Sequence, residues 1–175
     1  MKNKRNDNHL SALRVEAEAL KTDLGNTLRG YLTGFRAIRI SKHQHVYTAG
    51  DTDDSVYFIE SGSIELFWPA PQGCRGPATT YSAGDLFGES FLAEQTERLE
   101  TVMAVEDSCI LHIPRDAFMT MLESESLLVP MAQLLAIRIA DRQQTIAALL
   151  ATSTEQVLAQ GLSHSGRQTG RHKSQ

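Results

Sequence analysis

The spacing of apolar residues divides the chain into three parts with different periods. Near the start, Leu10, Leu13, Leu20 and Leu24 recur at helix-compatible intervals among charged residues, which predicts a leading amphipathic helix. Residues 37–113 instead show short β-type runs separated by turn residues. After these runs the helical period returns. The pattern therefore predicts a strand-rich middle part between flanking helices.

The middle part contains seven candidate strands, each a short run of aliphatic, β-branched or aromatic residues bounded by turn residues. Residues 69–77, rich in proline and glycine, predict a surface hairpin loop between two of them, because proline cannot donate to a strand ladder. Several short strands at regular spacing are typical of a sandwich or barrel. The candidate strands span 37–40, 45–48, 55–60, 63–68, 78–81, 99–105 and 109–113.

Two helices are predicted after the strands. Pro114 opens a short helix that runs to Leu122, and a much longer helix follows with Pro130 in its first turn. Five positions on the long helix alternate steps of four and three residues, an average spacing typical of a two-stranded coiled coil. We favour a homodimer through this helix, although a helix packed on its own sheet needs a similar stripe. The five positions are Leu135, Ile139, Arg142, Ile146 and Leu149.

The long helix is expected to end near Ala151. Ser153 and Gln156 form a capping-box pattern, which predicts a new short helix that Gly161 stops. The basic stretch 161–175 that follows is more typical of a solvated terminus than of a DNA-binding element. We therefore consider direct DNA binding by this chain a weak hypothesis.

The composition of the chain excludes several functional classes. The 175 residues carry a formal net charge of -4 with 41% hydrophobic and 22% charged residues, as in an ordinary globular domain with appendages. This charge gives no general attraction for nucleic acid. The two cysteines are too few for a four-thiolate iron-sulfur cluster or zinc ribbon. Since no apolar run approaches the length of a membrane span, we expect a cytoplasmic protein without a membrane partner.

One short connection, residues 84–98, concentrates the candidate chemistry. Backbone amides around Gly88 could hold phosphate oxygens, and Arg98 could clamp them with its planar fork of donors. Glu89 could accept a hydrogen bond from a sugar hydroxyl, and Ser90 adds a hydroxyl beside it. The segment therefore predicts a pocket for a small phosphorylated ligand. No catalytic or metal site is expected, and we do not expect an enzyme.

The order of elements and turns resembles the cyclic nucleotide-binding domain of the catabolite-activator and fumarate-nitrate regulator superfamily. The resemblance covers roughly residues 28–157. It implies a mainly β fold, a double-stranded β-helix or jelly roll at 28–125 after an N-terminal extension at 1–27. A dimerisation helix at 126–151 and a hinge remnant with a basic tail at 152–175 would follow. The motifs are Gly50, then Val56-Tyr57-Phe58-Ile59, Gly62-Ser63-Ile64 and Gly84-Asp85-Leu86-Phe87-Gly88-Glu89.

The resemblance also implies roles for residues. Gly88 and Glu89 match the family's glycine and ribose-binding glutamate, Ser90 lies next to the phosphate, and Arg98 matches the arginine that neutralises the cyclic phosphate. Thr101 is a further candidate, as is Arg142 on the long helix, where sensors of this family contact the base. The implied function is a sensory domain of a transcriptional regulator with cAMP or cGMP as effector, signalling through its dimer helix. A protein partner of the domain would be a further expectation.

Three departures keep a second hypothesis open. Arg98 stands among Glu97, Leu99 and Glu100, so a carboxylate that points inward would compete with a phosphate. Phe91 is bulky enough to fill part of the pocket. The residues after the long helix are too few for the winged helix-turn-helix that such regulators carry. The alternative is a ligand-free interaction protein from a truncated regulator, which acts by heterodimerisation.

Overall fold

The computed structural model describes the backbone of residues 3–70, 75–95 and 97–168. Side chains are described for residues 15, 18–70, 76–95, 97–147 and 150. The chain divides into two compact units, Met1–Ala132 and Gln133–Gln175. The first unit holds the strands and the second holds most of the last helix.

Two four-stranded antiparallel sheets make up the β part of the described chain. The strand orders are β1-β8-β3-β6 and β2-β7-β4-β5, so consecutive strands repeatedly change sheet. This arrangement confirms the predicted jelly-roll class with flanking helices and a long C-terminal helix. The strands are β1 Arg36–Ile40, β2 His45–Tyr47, β3 Val56–Ser61, β4 Ser63–Pro69, β5 Arg75–Ser82, β6 Leu86–Phe87, β7 Thr101–Ala104 and β8 Ser108–Ile113.

The seven predicted strands all appear, but the prediction missed β6. With two residues, β6 is too short to show a period, and it exists because Tyr57 and Phe58 of β3 pair with Phe87 and Leu86. The predicted loop at 69–77 is also shorter than expected, because β5 begins at Arg75. Part of that loop, residues 71–74, lies outside the described residues.

The core lies between the sheets and under the helices. Four successive residues of β3, Val56 to Ile59, are 0 to 6% exposed, so both faces of this strand are covered. One face belongs to the apolar cluster between the sheets, with Ile64 and Ile110 at 0% exposure. On the other face, the Arg29 guanidinium of the first helix lies 5.5 Å from the centre of the Phe58 ring. Burial on both faces explains the uninterrupted apolar run of β3.

The first helix, α1, spans Asn3–Tyr31 and is longer than the predicted amphipathic stretch. Gly25 allows it to approach the β5–β6 turn closely, since a Cβ there would lie 3.0 Å from the Gly84 carbonyl oxygen. Beside this contact, Lys21 Nζ lies 3.0 Å from an oxygen of Asp85, whose side chain is 1% exposed. The helix is thus fixed where the 84–98 segment begins.

Two helices follow β8. The short helix α2 spans Arg115–Leu122, as predicted, and α3 spans Glu125–Gln168. The junction between α2 and α3 contacts the end of α1, where the Tyr31 hydroxyl lies 2.9 Å from Ser124 Oγ. Leu127 and Met131, from the first part of α3, are buried at 1% and 3% exposure. No helix in the described residues is both long and apolar enough to span a membrane.

Two details of the α3 prediction were wrong. The helix starts at Glu125, which places Pro130 beyond the first turn, and it continues past Ala151 through the predicted separate helix at 154–160. Ser and Thr cost less than about 0.7 kcal/mol in a helix interior and Gly about 1 kcal/mol, so the capping pattern need not end a helix. The domain boundaries remain a prediction, and the end of the basic tail, 169–175, lies outside the described residues.

Candidate functional site

The 84–98 segment begins with two glycines in left-handed backbone conformation. Gly84 has a φ of 92° and Gly88 a φ of 86°, on either side of β6. At Gly88 a side chain is also excluded sterically, since a Cβ would lie 2.9 Å from the Ser55 carbonyl oxygen and 3.1 Å from Arg98 Nη1. Gly88 therefore permits the close approach of Arg98. A 3-10 helix at Glu89–Ala93 follows directly.

Arg98 is one of the most deeply buried side chains in the described chain, at 2% exposure. Its Nη1 donates to the Gly88 carbonyl oxygen at 2.7 Å. Its Nη2 donates to Asp53 Oδ2 at 2.9 Å and also to the Ser55 carbonyl oxygen. Among the described residues, its buried Nε has no hydrogen-bond partner. The guanidinium is thus held from two sides, and its Nε retains an unsatisfied N–H donor.

Aromatic rings surround the same guanidinium. Its carbon lies 4.4 Å from the centre of the Tyr47 ring and 6.0 Å from that of Tyr57. Tyr57 in turn stacks on Phe87 of β6 with ring centres 5.2 Å apart. A cation over an aromatic face gains electrostatic attraction, more so when it is desolvated. These rings stabilise the charge of Arg98 in a position remote from water.

Asp53, in the loop between β2 and β3, supplies the opposite charge. Its carboxylate accepts hydrogen bonds from the Ser55 backbone N–H at 3.0 Å and the Tyr57 hydroxyl at 2.7 Å, in addition to Arg98. Burial by itself would raise the pKa of Asp53, but the hydrogen bonds from Ser55, Arg98 and Tyr57 together lower it to about 2. Asp53 is therefore a fixed anion at neutral pH.

The sequence pattern does not indicate the role of Asp53. Its residue type and spacing mark only a turn, and Arg98 is far away in the chain. Asp53 accepts a hydrogen bond from the backbone N–H of Ser55, two residues later in the chain. Aspartates in turns commonly make this bond. Nothing local indicates the partner.

The glutamates near Arg98 take different positions. Glu100 is buried at 8% exposure and accepts from the Tyr47 hydroxyl at 3.3 Å. Burial and then the charge of Glu100 raise the pKa of Tyr47. Glu97 is exposed. The inward carboxylate that the sequence raised as an alternative is thus present as Glu100, while the carboxylate that bonds directly to Arg98 is Asp53.

One of the predicted site residues contacts Arg98, and two more follow it directly in the chain. Gly88 touches it, and Glu89 and Ser90 lie half-buried in the first turn of the 3-10 helix that Gly88 starts. The charge of Glu89 also contributes to raising the pKa of Tyr47. The glutamate therefore lies within electrostatic range of a ring that contacts Arg98. The segment therefore places a glutamate and a serine directly after the glycine that Arg98 contacts.

Two predicted site residues have other surroundings. Thr101 is half-buried, and its hydroxyl oxygen accepts from the Ala49 backbone N–H at 3.1 Å, which ties β7 to the turn after β2. Arg142 lies exposed on α3 in the second unit. Their roles in ligand binding stay predictions.

Phe91 does not fill the pocket as the sequence suggested. It is buried at 2% exposure, and its ring meets that of Phe118 on α2 edge to face, with centres 6.0 Å apart. The guanidinium of Arg115 lies 5.2 Å from the Phe91 ring centre. Phe91 thus anchors the 3-10 helix to α2.

A surface hollow of about 510 Å³ lies beside this anchor, and its lining contains none of the predicted site residues. The hollow is lined by Thr52, Asp54, Glu94, Gln95 and Arg115.

Within the described part of the chain, no three His, Cys, Asp or Glu side chains are grouped to hold a metal ion.

Comparison with known proteins identifies the family to which this fold belongs. The family model of the cyclic nucleotide-binding domain matches residues 37–125, which is about half of the chain. The chain therefore belongs to the cyclic nucleotide-binding domain family. The match begins at the second residue of β1, includes the other seven strands in full and ends at the first residue of α3.

The chain is similar to parts of longer proteins. It is 31% identical over 86 residues to the cAMP-dependent protein kinase regulatory subunit of Aspergillus niger, covering 49% of this chain and 20% of that protein. It is 29% identical over 77 residues to the cyclic AMP receptor protein of Thermus thermophilus, covering 44% and 36%. The chain thus spans about a fifth to a third of the length of these relatives.

A solved structure shows the same fold. The crystal structure of the Thermus thermophilus catabolite activator protein superposes with a TM-score of 0.61 at 24% identity. The superposition covers 70% of this chain and 58% of that one.

Proposed function

We propose that the chain is a sensory module that binds a cyclic nucleotide, cAMP or cGMP, in the pocket of the 84–98 segment. The observation that carries the proposal is the 2.7 Å hydrogen bond from Arg98 to Gly88, which closes the segment into a loop. This loop brings Glu89, Ser90 and the cation to one site. Two relatives named for cAMP make cAMP the first ligand to test.

Each residue has a role in this proposal. Glu89 accepts a hydrogen bond from a ribose hydroxyl, and Ser90 donates to the phosphate from its hydroxyl and backbone N–H. Arg98 neutralises the phosphate, with its unsatisfied Nε as one of the donors. Thr101 and Arg142 are secondary candidates. In a longer protein, such a module would regulate a fused or associated partner, and a transcriptional regulator of the catabolite-activator type is the output we propose.

Titration calorimetry with cAMP and cGMP tests the proposal. Saturable binding is expected, and Glu89→Gln should weaken it about tenfold to a hundredfold, because a hydrogen bond to a charged group contributes roughly 1.5 to 3 kcal/mol. Glu94→Gln, an exposed change near the end of the same 3-10 helix, should shift the affinity less than about twofold. A flat trace with both nucleotides contradicts the proposal.

A second candidate function is an interaction protein that dimerises through α3 without a ligand. Three large apolar residues of the second unit favour it, since Ile139, Ile146 and Leu150 are 57 to 63% exposed. The seven-residue step from Ile139 to Ile146 fits a coiled-coil seam. Such a dimer would be compatible with either function. The interaction protein is therefore distinguished by dimerisation in the absence of nucleotide binding.

Analytical ultracentrifugation measures the dimer. Ile146→Glu should shift the protein to monomer, because a charge would be buried in the seam. Gln144→Glu adds the same charge at another exposed position of the helix and should leave the dimer intact. A monomeric wild-type protein removes the dimer from both proposals.

A further inference from the structure

One face of α1 packs against the turn between β5 and β6. Leu24 and Leu28 on this face are 2% and 1% exposed. A Cβ at Gly25 would lie 3.0 Å from the Gly84 carbonyl oxygen, so the helix and the turn are in close contact. Lys21 lies one helical turn before Gly25, on the same face. Because the family match begins after α1 has ended, this contact is made by a part of the chain that the match does not include.

The turn contains a buried carboxylate that Lys21 reaches. The side chain of Asp85 is 1% exposed, and its Oδ2 accepts from the Ser82 backbone N–H at 2.8 Å. The same oxygen lies 3.0 Å from Nζ of Lys21, whose side chain is 25% exposed. Burying an ionised carboxylate costs free energy unless an opposite charge and hydrogen bonds compensate it. Lys21 therefore contributes the opposite charge from α1.

The same turn is joined to β3 and leads directly to the candidate site. The Gly84 N–H donates to the Ile59 carbonyl oxygen, and the Ile59 N–H donates to the Asp85 carbonyl oxygen, each at 2.8 Å. After Asp85 come the two residues of β6 and then Gly88, whose carbonyl oxygen accepts from Arg98. The position of the turn therefore helps to set where Gly88 meets Arg98.

We propose that Lys21 is a positioning residue for the nucleotide pocket: by neutralising Asp85, it keeps the β5–β6 turn in the conformation that brings Gly88 to Arg98. This inference rests on the proposed function, and it adds α1 to the elements on which ligand affinity depends. Without Lys21, the buried charge favours an open turn in which Asp85 reaches water. The apparent affinity then falls with the fraction of molecules in which the turn is closed.

Titration calorimetry with cAMP and cGMP on three variants tests this role. Lys21→Met removes the charge but keeps a long, flexible side chain, and it should weaken binding about tenfold. Lys21→Arg retains the charge and should bind within about threefold of the wild type. Glu18→Gln removes an exposed charge 3.3 Å from Lys21 on the same helix and should change affinity less than about twofold. Equal losses in Lys21→Met and Lys21→Arg would show that the charge is not what matters.

A double substitution identifies the group through which Lys21 acts. Asp85→Asn keeps the size of the side chain and leaves no carboxylate for Lys21 to neutralise. In that background, Lys21→Met should change affinity less than about twofold, because the two residues share one interaction. A full tenfold loss there contradicts the proposal. This comparison does not depend on the folding of Lys21→Met alone.

Hydrogen exchange followed by NMR gives a measurement that needs no ligand. In Lys21→Met, the Gly84 N–H should exchange about tenfold faster than in the wild type, because its bond to Ile59 breaks when the turn opens. The Val105 N–H, which is bonded to the Ser63 carbonyl oxygen, should keep its rate. Equal acceleration at both amides would show a general loss of stability and overturn the positioning role.

The outcomes separate this inference from the proposed function. A wild type that binds nucleotide and a Lys21→Met variant that binds equally well contradict the inference and leave the proposed function intact. A tenfold loss in Lys21→Met that Lys21→Arg restores supports both. A wild type that binds neither nucleotide overturns both.

Discussion

The two ends of the 84–98 segment differ in how they are built. At its first end, Gly88, Glu89 and Ser90 are ordered by local turn geometry, and the two polar side chains are half-buried. At its last end, Arg98 is 2% exposed and is held by residues 53 and 55 of another loop. The same motif thus contains a half whose polar side chains reach solvent and a half that supports the fold. Replacing Arg98 should therefore lower the stability of the fold as well as ligand affinity.

The largest expected effect comes from removing the buried cation. Arg98→Ala leaves Asp53 without its charge partner and the Gly88 and Ser55 carbonyls without a donor, so the free energy of unfolding should fall by about 3 to 5 kcal/mol. Urea denaturation measures it. Arg36→Ala, at an exposed position of β1, should change it by less than about 0.5 kcal/mol. Similar losses in the two variants would mean that the Arg98 end does not support the fold.

The next effect is a pH dependence of stability that comes from Asp53. Its pKa of about 2 in the folded state lies below the ordinary value of 3.8, so its charge stabilises the fold above about pH 4. This contribution, about 2 kcal/mol, should be lost as the pH falls from about 4 to about 2. Denaturation curves at several pH values should show a smaller acid loss for Asp53→Asn than for the wild type.

The control for that prediction is Asp54→Asn. Since Asp54 is exposed, this variant should follow the wild-type acid profile. If Asp53→Asn follows it too, Arg98 and Asp53 are not coupled in the way that the hydrogen bonds indicate.

The smallest effect on stability is expected at the other end. Glu89→Gln should change the free energy of unfolding by less than about 0.5 kcal/mol, because the side chain is half-buried in a short 3-10 helix. The same variant should weaken nucleotide binding, as proposed above. A loss of stability comparable to that of Arg98→Ala would remove the difference between the two ends.

Much of the fold was predictable from local patterns. The seven predicted strands and α2 appear, because each has a clear period and turn residues at its ends. The two-residue β6 was not predictable, since its only support is pairing with β3. The end of α3 was wrongly placed at Ala151, because a capping-box pattern permits a helix to start there but does not oblige one to end.

The candidate site was predictable in part. Gly88, Glu89, Ser90 and Arg98 are close in the chain, and the structure brings Gly88 and Arg98 into contact. Phe91 was misplaced, because its size suggested a pocket filler while its partner, Phe118, comes from a later helix. Contacts between residues that are distant in the chain cannot be predicted from the local sequence.

The alternation of strands and turns was predictable because it depends on local period and on turn residues, and the order of the motifs indicated the family by resemblance. The charge pairing of Arg98, in contrast, depends on the tertiary structure. Asp53 and Arg98 meet because the β2–β3 loop folds against the end of the 84–98 segment. Charge pairing depends on distance in space, and burial strengthens it by excluding water, so neither can be derived from the order of residues along the chain.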